Sequence, residues 1–167
     1  KNNASFEKFS SEEELLSNVA FQISQKKIVG FFNGRMEFGP RALGNRSILA
    51  DPREKKIRDI LNSKIKRRES FRPFAPSILK EFSAEWFEFD DDVPFMSKVY
   101  LVNEDKKPLI PAVVHIDGTG RLQTVSKNHN KRYYNLIRKF YDITGVPLIL
   151  NTSFNENEPI VCTPQNA

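Results

Sequence analysis

Apolar positions along this chain recur with a helical period in some segments and a strand-like pattern in others. Ser11-Glu12-Glu13-Glu14 is a capping box, and apolar residues then share one face, so we predict a helix over 11–26. The clearest helical stripe contains Tyr133, Leu136, Ile137, Phe140 and Tyr141, and Gly145 is expected to end that helix. Two shorter helices are predicted, one opening at Asp51-Pro52 with Ile57, Ile60 and Leu61 facing inward, and one over 81–89.

Short apolar runs between these helices predict strands. They lie at 27–33, 47–50, 77–79, 96–102, 121–125 and 146–150, while 108–114 is ambiguous between strand and helix. Helices and strands mix without regular alternation, which favours an α/β domain with a mixed sheet over a regular doubly wound one.

The polar segment 34–47 separates the first two predicted strands and combines three glycines with three arginines. Glycine allows the backbone to approach a ligand closely, and arginine offers paired donors to phosphate or carboxylate. The segment is no P-loop, because Asn45 stands where that motif needs lysine, and G-x-G-x-x-G is also absent. We interpret it as an anion-binding loop; the alternative is a set of turns with solvated arginines.

Three further segments carry candidate ligands. The basic run after Lys64 is expected to be extended because of Pro73 and Pro76, and its Lys64, Arg67 and Arg68 are typical of a solvated surface. Arg72 lies among apolar neighbours, where it either packs through its stem or faces a buried anion that Lys66 could also reach. The turn 117–120 presents Thr119 and Arg121, and the polar run 151–155 follows a predicted strand.

The composition limits the possible ligands and the cellular compartment, but it does not select one function. A net charge of +5 suits nucleotides, small anions or nucleic acid alike. One cysteine, Cys162, excludes an internal disulfide and favours a reducing, cytoplasmic compartment. The histidines at 115 and 129 are isolated, so a structural or surface role is expected for each. The polar start without Met suggests a fragment, and neither a signal peptide nor an apolar run long enough for a membrane span is visible.

Four motifs in order resemble the C-terminal domain of O-carbamoyltransferases, the family of nodulation-factor, cephamycin and tobramycin carbamoyltransferases. They are GRMEFGPRALGNRS at 34–47, FRPFAPS at 71–77, HIDGTGRLQTV at 115–125 and NTSFN at 151–155. The resemblance implies a YrdC-like α/β fold, with a twisted mixed sheet, flanking helices and a basic concave face. It also implies that 1–167 is this domain alone, without the N-terminal transferase domain and the extreme C-terminus.

The resemblance further implies that the domain binds ATP, with Mg²⁺ accompanying the nucleotide, and carbamoyl phosphate, and forms carbamoyladenylate. The N-terminal domain would then transfer the carbamoyl group to a substrate hydroxyl. The implied catalytic residues are Lys66, Arg72 and Arg41, and the implied ligand-binding residues are Arg121, Asn151, Ser153, Asn155 and Thr119. Lys66, Arg72, Ser153 and Asn155 match a basic tetrad of YrdC-like proteins, although Lys64 could take the place of Lys66. No metal ligand is assigned to the protein.

Two other functions stay open at this point. YrdC-like folds can bind RNA, and Lys64, Arg67 and Arg68 could contact its backbone, although no aromatic-stacking pattern accompanies them. The domain could instead be a non-catalytic interaction module whose loops pack on the missing domain. No membrane contact is expected, and nucleic acid is the less favoured partner.

Overall fold

A five-stranded mixed sheet organises the computed structural model, which describes residues 5–167. The described residues contain seven strands: β1 (Val29–Phe32), β2 (Arg46–Ala50), β3 (Ala75–Leu79), β4 (Tyr100–Leu101), β5 (Thr119–Gly120), β6 (Gln123–Val125) and β7 (Leu148–Ser153). The main sheet has the order β1-β2-β7-β3-β6, and only the β3–β6 pair is parallel. Strands β4 and β5 form a separate antiparallel pair. The predicted mixed α/β class is therefore confirmed.

In the part of the chain that the structure describes, four α-helices accompany the sheet: α1 (Glu12–Ser24), α2 (Lys55–Ile60), α3 (Ser83–Trp86) and α4 (Lys131–Thr144). Short 3₁₀ segments occupy Lys80–Phe82 and Lys107–Leu109, and α2 continues into a π-helical turn at Leu61–Ile65. Within residues 5–167, no helix has both the length and the apolar character needed to cross a bilayer.

The two long helices confirm the periodicity in the sequence. Ser11 Oγ accepts the backbone N–H of Glu14 at 3.1 Å, which caps α1 as the capping box predicts. Gly145 follows α4 with a φ of 71°, a left-handed conformation that glycine adopts without strain. Helix α4 packs on β3 and β7 through its buried apolar stripe, and α1 packs against α4, so these helices cover one face of the sheet.

Helix α2 begins later than predicted. Asp51 Oδ1 accepts the backbone N–H and Nε of Arg53, which holds residues 51–53 in a turn, and Glu54 caps the helix that follows. Ile60, expected to face inward, is 37 % exposed, because the helix changes to the π-helical turn directly after it. Ile57 and Leu61 are buried as predicted.

Three other predictions are wrong in extent. Only two residues of 96–102 form a strand, since buried Met96 has a φ of 54° and interrupts the extended backbone. The helix expected over 81–89 ends at Trp86. The run 151–155 does not leave the end of a strand at Asn151, because β7 continues to Ser153 and pairs with β2 there. The strand thereby carries its polar residues directly to the edge of the candidate site.

Candidate functional site

A loop over residues 33–45, here called the glycine/arginine loop, connects β1 to β2. Glu37 organises it from within, since its Oε1 accepts the backbone N–H groups of Leu43 at 2.6 Å and Asn45 at 2.8 Å. The Glu37 carboxylate therefore binds the loop's own amides. Neither the Arg35 guanidinium nor the Arg46 guanidinium forms an ion pair with it.

Arg46 closes the base of the same loop. Its guanidinium donates to the carbonyls of Asn33 at 3.0 Å, Gly34 at 3.2 Å and Asn45 at 2.9 Å, and it lies 3.5 Å from the centre of the Phe32 ring. The side chain is 4 % exposed. Arg46 thus joins both ends of the loop, and backbone oxygens accept from both of its terminal nitrogens, while its buried Nε has no hydrogen-bond partner within the described residues.

Gly44 allows the loop to lie close to helix α4. Its φ is 103°, and a Cβ at this position would lie 2.3 Å from the ring of Tyr133. Only glycine combines this conformation with this approach. The tight packing brings the loop down onto the ends of β3, β6 and β7.

A buried polar network lies beneath the loop. Asn151 Nδ2 donates to the carbonyl of Ala42 at 3.0 Å and to Ser77 Oγ at 3.0 Å, and Ser77 Oγ donates to Gln123 Oε1 at 2.8 Å. Gln123 Nε2 donates in turn to the carbonyl of Leu43 at 3.1 Å. The amide nitrogen of Asn151 thus fixes the loop above β7, its buried Oδ1 has no hydrogen-bond partner within the described residues, and the expected ligand contact of Asn151 stays a prediction.

Three arginines from separate parts of the chain face one small cavity of about 120 Å³, here called the small basic cavity. Arg41 comes from the glycine/arginine loop, Arg68 from the segment after α2, and Arg121 from the turn between β5 and β6. The wall also includes Asn151 and Ser153 at the end of β7. The structure thus brings together Arg41, Arg121 and Ser153, as the sequence interpretation requires.

A second cavity of about 290 Å³, the outer cavity, lies beyond Arg68 and Arg121, which line both spaces. Arg72 and His115 complete its polar lining, and Val99 contributes an apolar side chain. Arg72 was expected to lie with Lys66, but it is half exposed and pairs with Glu69 at 2.9 Å. It therefore lies at the rim of the outer cavity, apart from the other tetrad residues.

A third and larger cavity of about 640 Å³ adjoins the small basic cavity. The two share Pro40 and Arg41. The exposed rings of Phe38 and Phe95 line the large cavity, together with Gln123, Asn128 and His129. The three cavities thus follow one another in the order large, small basic and outer.

The charges around the small basic cavity favour the binding of an anion there. Among the described residues, no carboxylate forms an ion pair with Arg41, Arg68 or Arg121. Burial and the neighbouring Arg72 lower the pKa of Arg68, and burial and the neighbouring Arg41 lower the pKa of Arg121. Cations held together in a partly buried wall without counter-charges are stabilised by a bound anion.

Lys66 takes up a different position. Its Nζ contacts the Ser153 carbonyl at 2.5 Å, Ser153 Oγ at 3.2 Å, the Asn155 carbonyl at 2.7 Å and Asn155 Oδ1 at 2.9 Å. Burial lowers the pKa of Lys66 to about 8, with a further contribution from Arg68. Lys64 is exposed, so the structure brings Lys66 to Ser153 and Asn155.

Two functional candidates were missed in the sequence, and one was placed differently. Arg68 reads like the exposed Arg67 beside it, but Arg67 has a φ of 44°, and this turn directs the two side chains apart. No periodic pattern signals such a turn after a π-helical segment. His115 was expected to have a structural or surface role, and it lines the outer cavity. Thr119 lines none of the three cavities and contacts His115 instead.

Comparison with known proteins gives these cavities a family context. Residues 20–167 match the family model described as "Carbamoyltransferase C-terminus". The chain is 52 % identical over 153 residues to nodulation protein NolNO of Sinorhizobium fredii, covering 89 % of this chain and 22 % of that protein.

Two further relatives extend the comparison. Nodulation protein NolO of Bradyrhizobium diazoefficiens is 48 % identical over 159 residues, covering 93 % of this chain and 29 % of that protein. Nodulation protein U of Sinorhizobium fredii is 41 % identical over 140 residues, covering 84 % of this chain and 25 % of that protein. The chain spans less than a third of the length of each of these relatives. With the family model matching most of its length, the chain belongs to the carbamoyltransferase C-terminus family.

Proposed function

We propose that this domain binds carbamoyl phosphate and ATP and joins the carbamoyl group to the nucleotide as carbamoyladenylate. The observation that carries the proposal is the convergence of Arg41, Arg68 and Arg121 on one cavity without carboxylate partners. Membership of the carbamoyltransferase C-terminus family supports the carbamoyl part of the proposal. Arginine provides the geometry that phosphate oxygens need, and three such groups can screen the repulsion between two phosphorylated ligands.

The arrangement of the three cavities suggests which ligand occupies each of them. The large cavity has the volume typical of a small-molecule site, and Phe38 and Phe95 offer flat apolar surfaces for a nucleoside. The triphosphate would then extend past Arg41 into the small basic cavity. Carbamoyl phosphate would occupy the outer cavity, where Arg68, Arg72 and Arg121 face it.

The proposed reaction needs no protein nucleophile. Water cleaves carbamoyl phosphate into carbamate and inorganic phosphate, and a carbamate oxygen attacks the α-phosphorus of ATP. The bond from that phosphorus to the oxygen bridging to the β-phosphorus breaks, and pyrophosphate leaves with the electron pair. The arginines hold the two anions in line and stabilise the charge that builds up on the α-phosphoryl oxygens.

Magnesium fits this scheme as a companion of the nucleotide. Within residues 5–167, no group of three or more His, Cys, Asp or Glu side chains is arranged to hold a metal ion. Glu37, a carboxylate lining the large cavity, already accepts backbone N–H groups. Mg²⁺ would therefore be held by phosphate oxygens and would supply further charge neutralisation there.

The acceptor hydroxyl is assigned to another domain. The relatives NolNO, NolO and nodulation protein U are more than three times as long as the region that matches this chain. We propose that the remaining part of such a protein binds the hydroxyl substrate and receives the carbamoyl group from carbamoyladenylate.

Isothermal titration and a product assay test the proposal on the 167-residue chain. Arg121→Ala should weaken the binding of both ATP and carbamoyl phosphate about 100-fold, because Arg121 lines two of the three cavities. Lys64→Ala removes the same charge from an exposed position that lines none of them, and it should bind both ligands as wild type does.

Pyrophosphate release separates binding from chemistry. The wild-type chain should release pyrophosphate from ATP only when carbamoyl phosphate is present. Absence of binding in the wild type, or equal binding by Arg121→Ala, would overturn the anion site. Binding of both ligands without pyrophosphate release would overturn carbamoyladenylate formation.

A further inference from the structure

His115 lies on the wall of the outer cavity, and only one of its two ring nitrogens is used by the protein. The side chain is partly buried, and its Nδ1 lies 3.0 Å from Thr119 Oγ1. In the part of the chain that the structure describes, Nε2 has no hydrogen-bond partner. The protonation state of this nitrogen therefore decides which ligand group the histidine can bind.

The hydrogen bonds of Thr119 fix that state. The Thr119 hydroxyl donates its single proton to Asp117 Oδ1 at 2.7 Å, and the backbone N–H of Thr119 donates to the same oxygen at 3.0 Å. Since a carboxylate can only accept, Thr119 Oγ1 must accept the proton of His115 Nδ1. Neutral His115 thus carries its proton on Nδ1, and Nε2 is a hydrogen-bond acceptor.

The surroundings keep the ring neutral. Burial lowers the pKa of His115, the nearby Asp117 opposes this effect, and Arg121 adds to it. Arg68 and Arg72 also face the cavity and contribute positive charge. The arginines that line the outer cavity donate hydrogen bonds to phosphate oxygens. Neutral His115 adds one side-chain acceptor, Nε2, to this lining.

We propose that His115 Nε2 accepts a hydrogen bond from the carbamoyl NH₂ group and thereby selects carbamoyl phosphate over acyl phosphates that lack this group. The proposal rests on the proposed function, because it assigns carbamoyl phosphate to the outer cavity. His115 is a specificity-determining residue in this scheme, and no bond to it forms or breaks.

The chemistry of the candidate ligands supports this assignment. An ionised phosphate has acceptor oxygens only, so it cannot satisfy Nε2. Acetyl phosphate has the same shape as carbamoyl phosphate but carries a methyl group where the latter has NH₂. A site that places an acceptor opposite the NH₂ of its ligand leaves that acceptor unpaired when the analogue binds.

Titration of the 167-residue chain with carbamoyl phosphate, acetyl phosphate and inorganic phosphate tests the proposal. Wild type should bind carbamoyl phosphate about tenfold more tightly than acetyl phosphate, the expected value of one ligand hydrogen bond in a partly solvated site. His115→Phe should bind carbamoyl phosphate as weakly as acetyl phosphate, while its affinity for acetyl phosphate stays near that of wild type.

Thr119→Val provides a second variant that keeps the imidazole. It removes the acceptor that holds Nδ1–H, so either nitrogen can then carry the proton, and the carbamoyl preference should fall severalfold. In wild type, the preference should also disappear as the pH falls through the lowered pKa of His115, because protonation makes Nε2 a donor. A merely structural histidine would change both affinities together.

The possible failures are distinguishable. Equal affinity of wild type for carbamoyl and acetyl phosphate overturns the role of His115 and leaves the anion site standing. A preference that survives both His115→Phe and Thr119→Val also overturns it. Loss of ATP binding in His115→Phe, with the carbamoyl preference intact, would assign Nε2 to a nucleotide hydroxyl. A wild type that binds none of the three ligands overturns both the proposed function and this inference.

Discussion

The base of the glycine/arginine loop and the wall of the small basic cavity both contain arginine, but they use it in opposite ways. Arg46 at the base is buried and donates to three backbone carbonyls while lying over Phe32. Arg41 and Arg121 on the wall have neither a carboxylate nor a side-chain oxygen as a partner in the described chain. Only four residues separate Arg41 from Arg46 in sequence.

This difference indicates which cations serve the fold and which are available to a ligand. A buried charge is tolerated when oxygens surround it, and Lys66 shows the same arrangement with four oxygens from Ser153 and Asn155. Cations without such partners repel one another in the folded state. Their cost is offset when an anion binds, which is typical of sites that trade stability for function.

Replacing Arg46 should produce the largest loss of stability. Arg46→Met removes the donors of one buried and two partly buried carbonyls at once, and we expect the free energy of unfolding to fall by about 4 kcal/mol. Urea denaturation followed by circular dichroism measures this change. Arg35→Met is the matched control in the same loop, since Arg35 is exposed and without a hydrogen bond in the described structure, and it should change stability by less than about 0.5 kcal/mol. Similar losses in the two variants would contradict the structural role of Arg46.

The contrast between these arginines also shows what the sequence can predict. Its periodicity predicted α1, α4 and the central strands, because each element buries a regular set of apolar residues. The loop at 34–47 was recognised as a ligand candidate from its glycines and arginines. The resemblance named Arg41 as the site arginine, and Arg41 does line the cavity. The role of Arg46 stayed open, because Arg46 is fixed by carbonyls that come close only after β1 and β2 pair.

The basic tetrad that the resemblance implies could also be predicted only in part. Lys66, Ser153 and Asn155 meet as the family motif implies, although they are nearly ninety residues apart. Arg72 does not join them, since the turn over 69–72, in which the Arg72 N–H donates to the Glu69 carbonyl at 3.2 Å, places it beside the exposed Glu69. Backbone turns of this kind depend on tertiary packing, and no local pattern of apolar residues marks them. The catalytic and binding roles assigned to these residues stay predictions.

Lys66 is a cation surrounded by oxygens, as Arg46 is, and its contribution to stability should depend on pH. Its pKa is lowered from the ordinary value of 10.5 to about 8 in the folded state. Between these values the unfolded chain binds more protons than the folded one, so the contribution of Lys66 to stability is fully present above 10.5 and is lost as the pH falls to about 8. The difference in unfolding free energy between wild type and Lys66→Met should grow by up to about 3 kcal/mol over this window.

Urea denaturation of both proteins at several pH values checks this prediction, and taking the difference cancels the titration of groups that the two proteins share. Below pH 8 the difference should be constant. A difference that shrinks as the pH rises would mean that the four oxygens hold the charged form more strongly than burial disfavours it.

Replacing Arg41 or Arg72 should have the smallest effect on stability, and each replacement should weaken the binding of one ligand more than that of the other. Each arginine is substantially exposed, and the ion pair of Arg72 with Glu69 lies at the surface, so Arg41→Ala and Arg72→Ala should each change stability by less than about 0.5 kcal/mol.

Arg41 lines the large and small basic cavities, whereas Arg72 lines only the outer one. Arg41→Ala should therefore weaken ATP binding about tenfold with less effect on carbamoyl phosphate, and Arg72→Ala should do the reverse. Isothermal titration of both ligands against both variants measures the four affinities. Equal losses for the two ligands in each variant would contradict the separate cavities, and a reversed pattern would exchange the two ligands along the row of cavities.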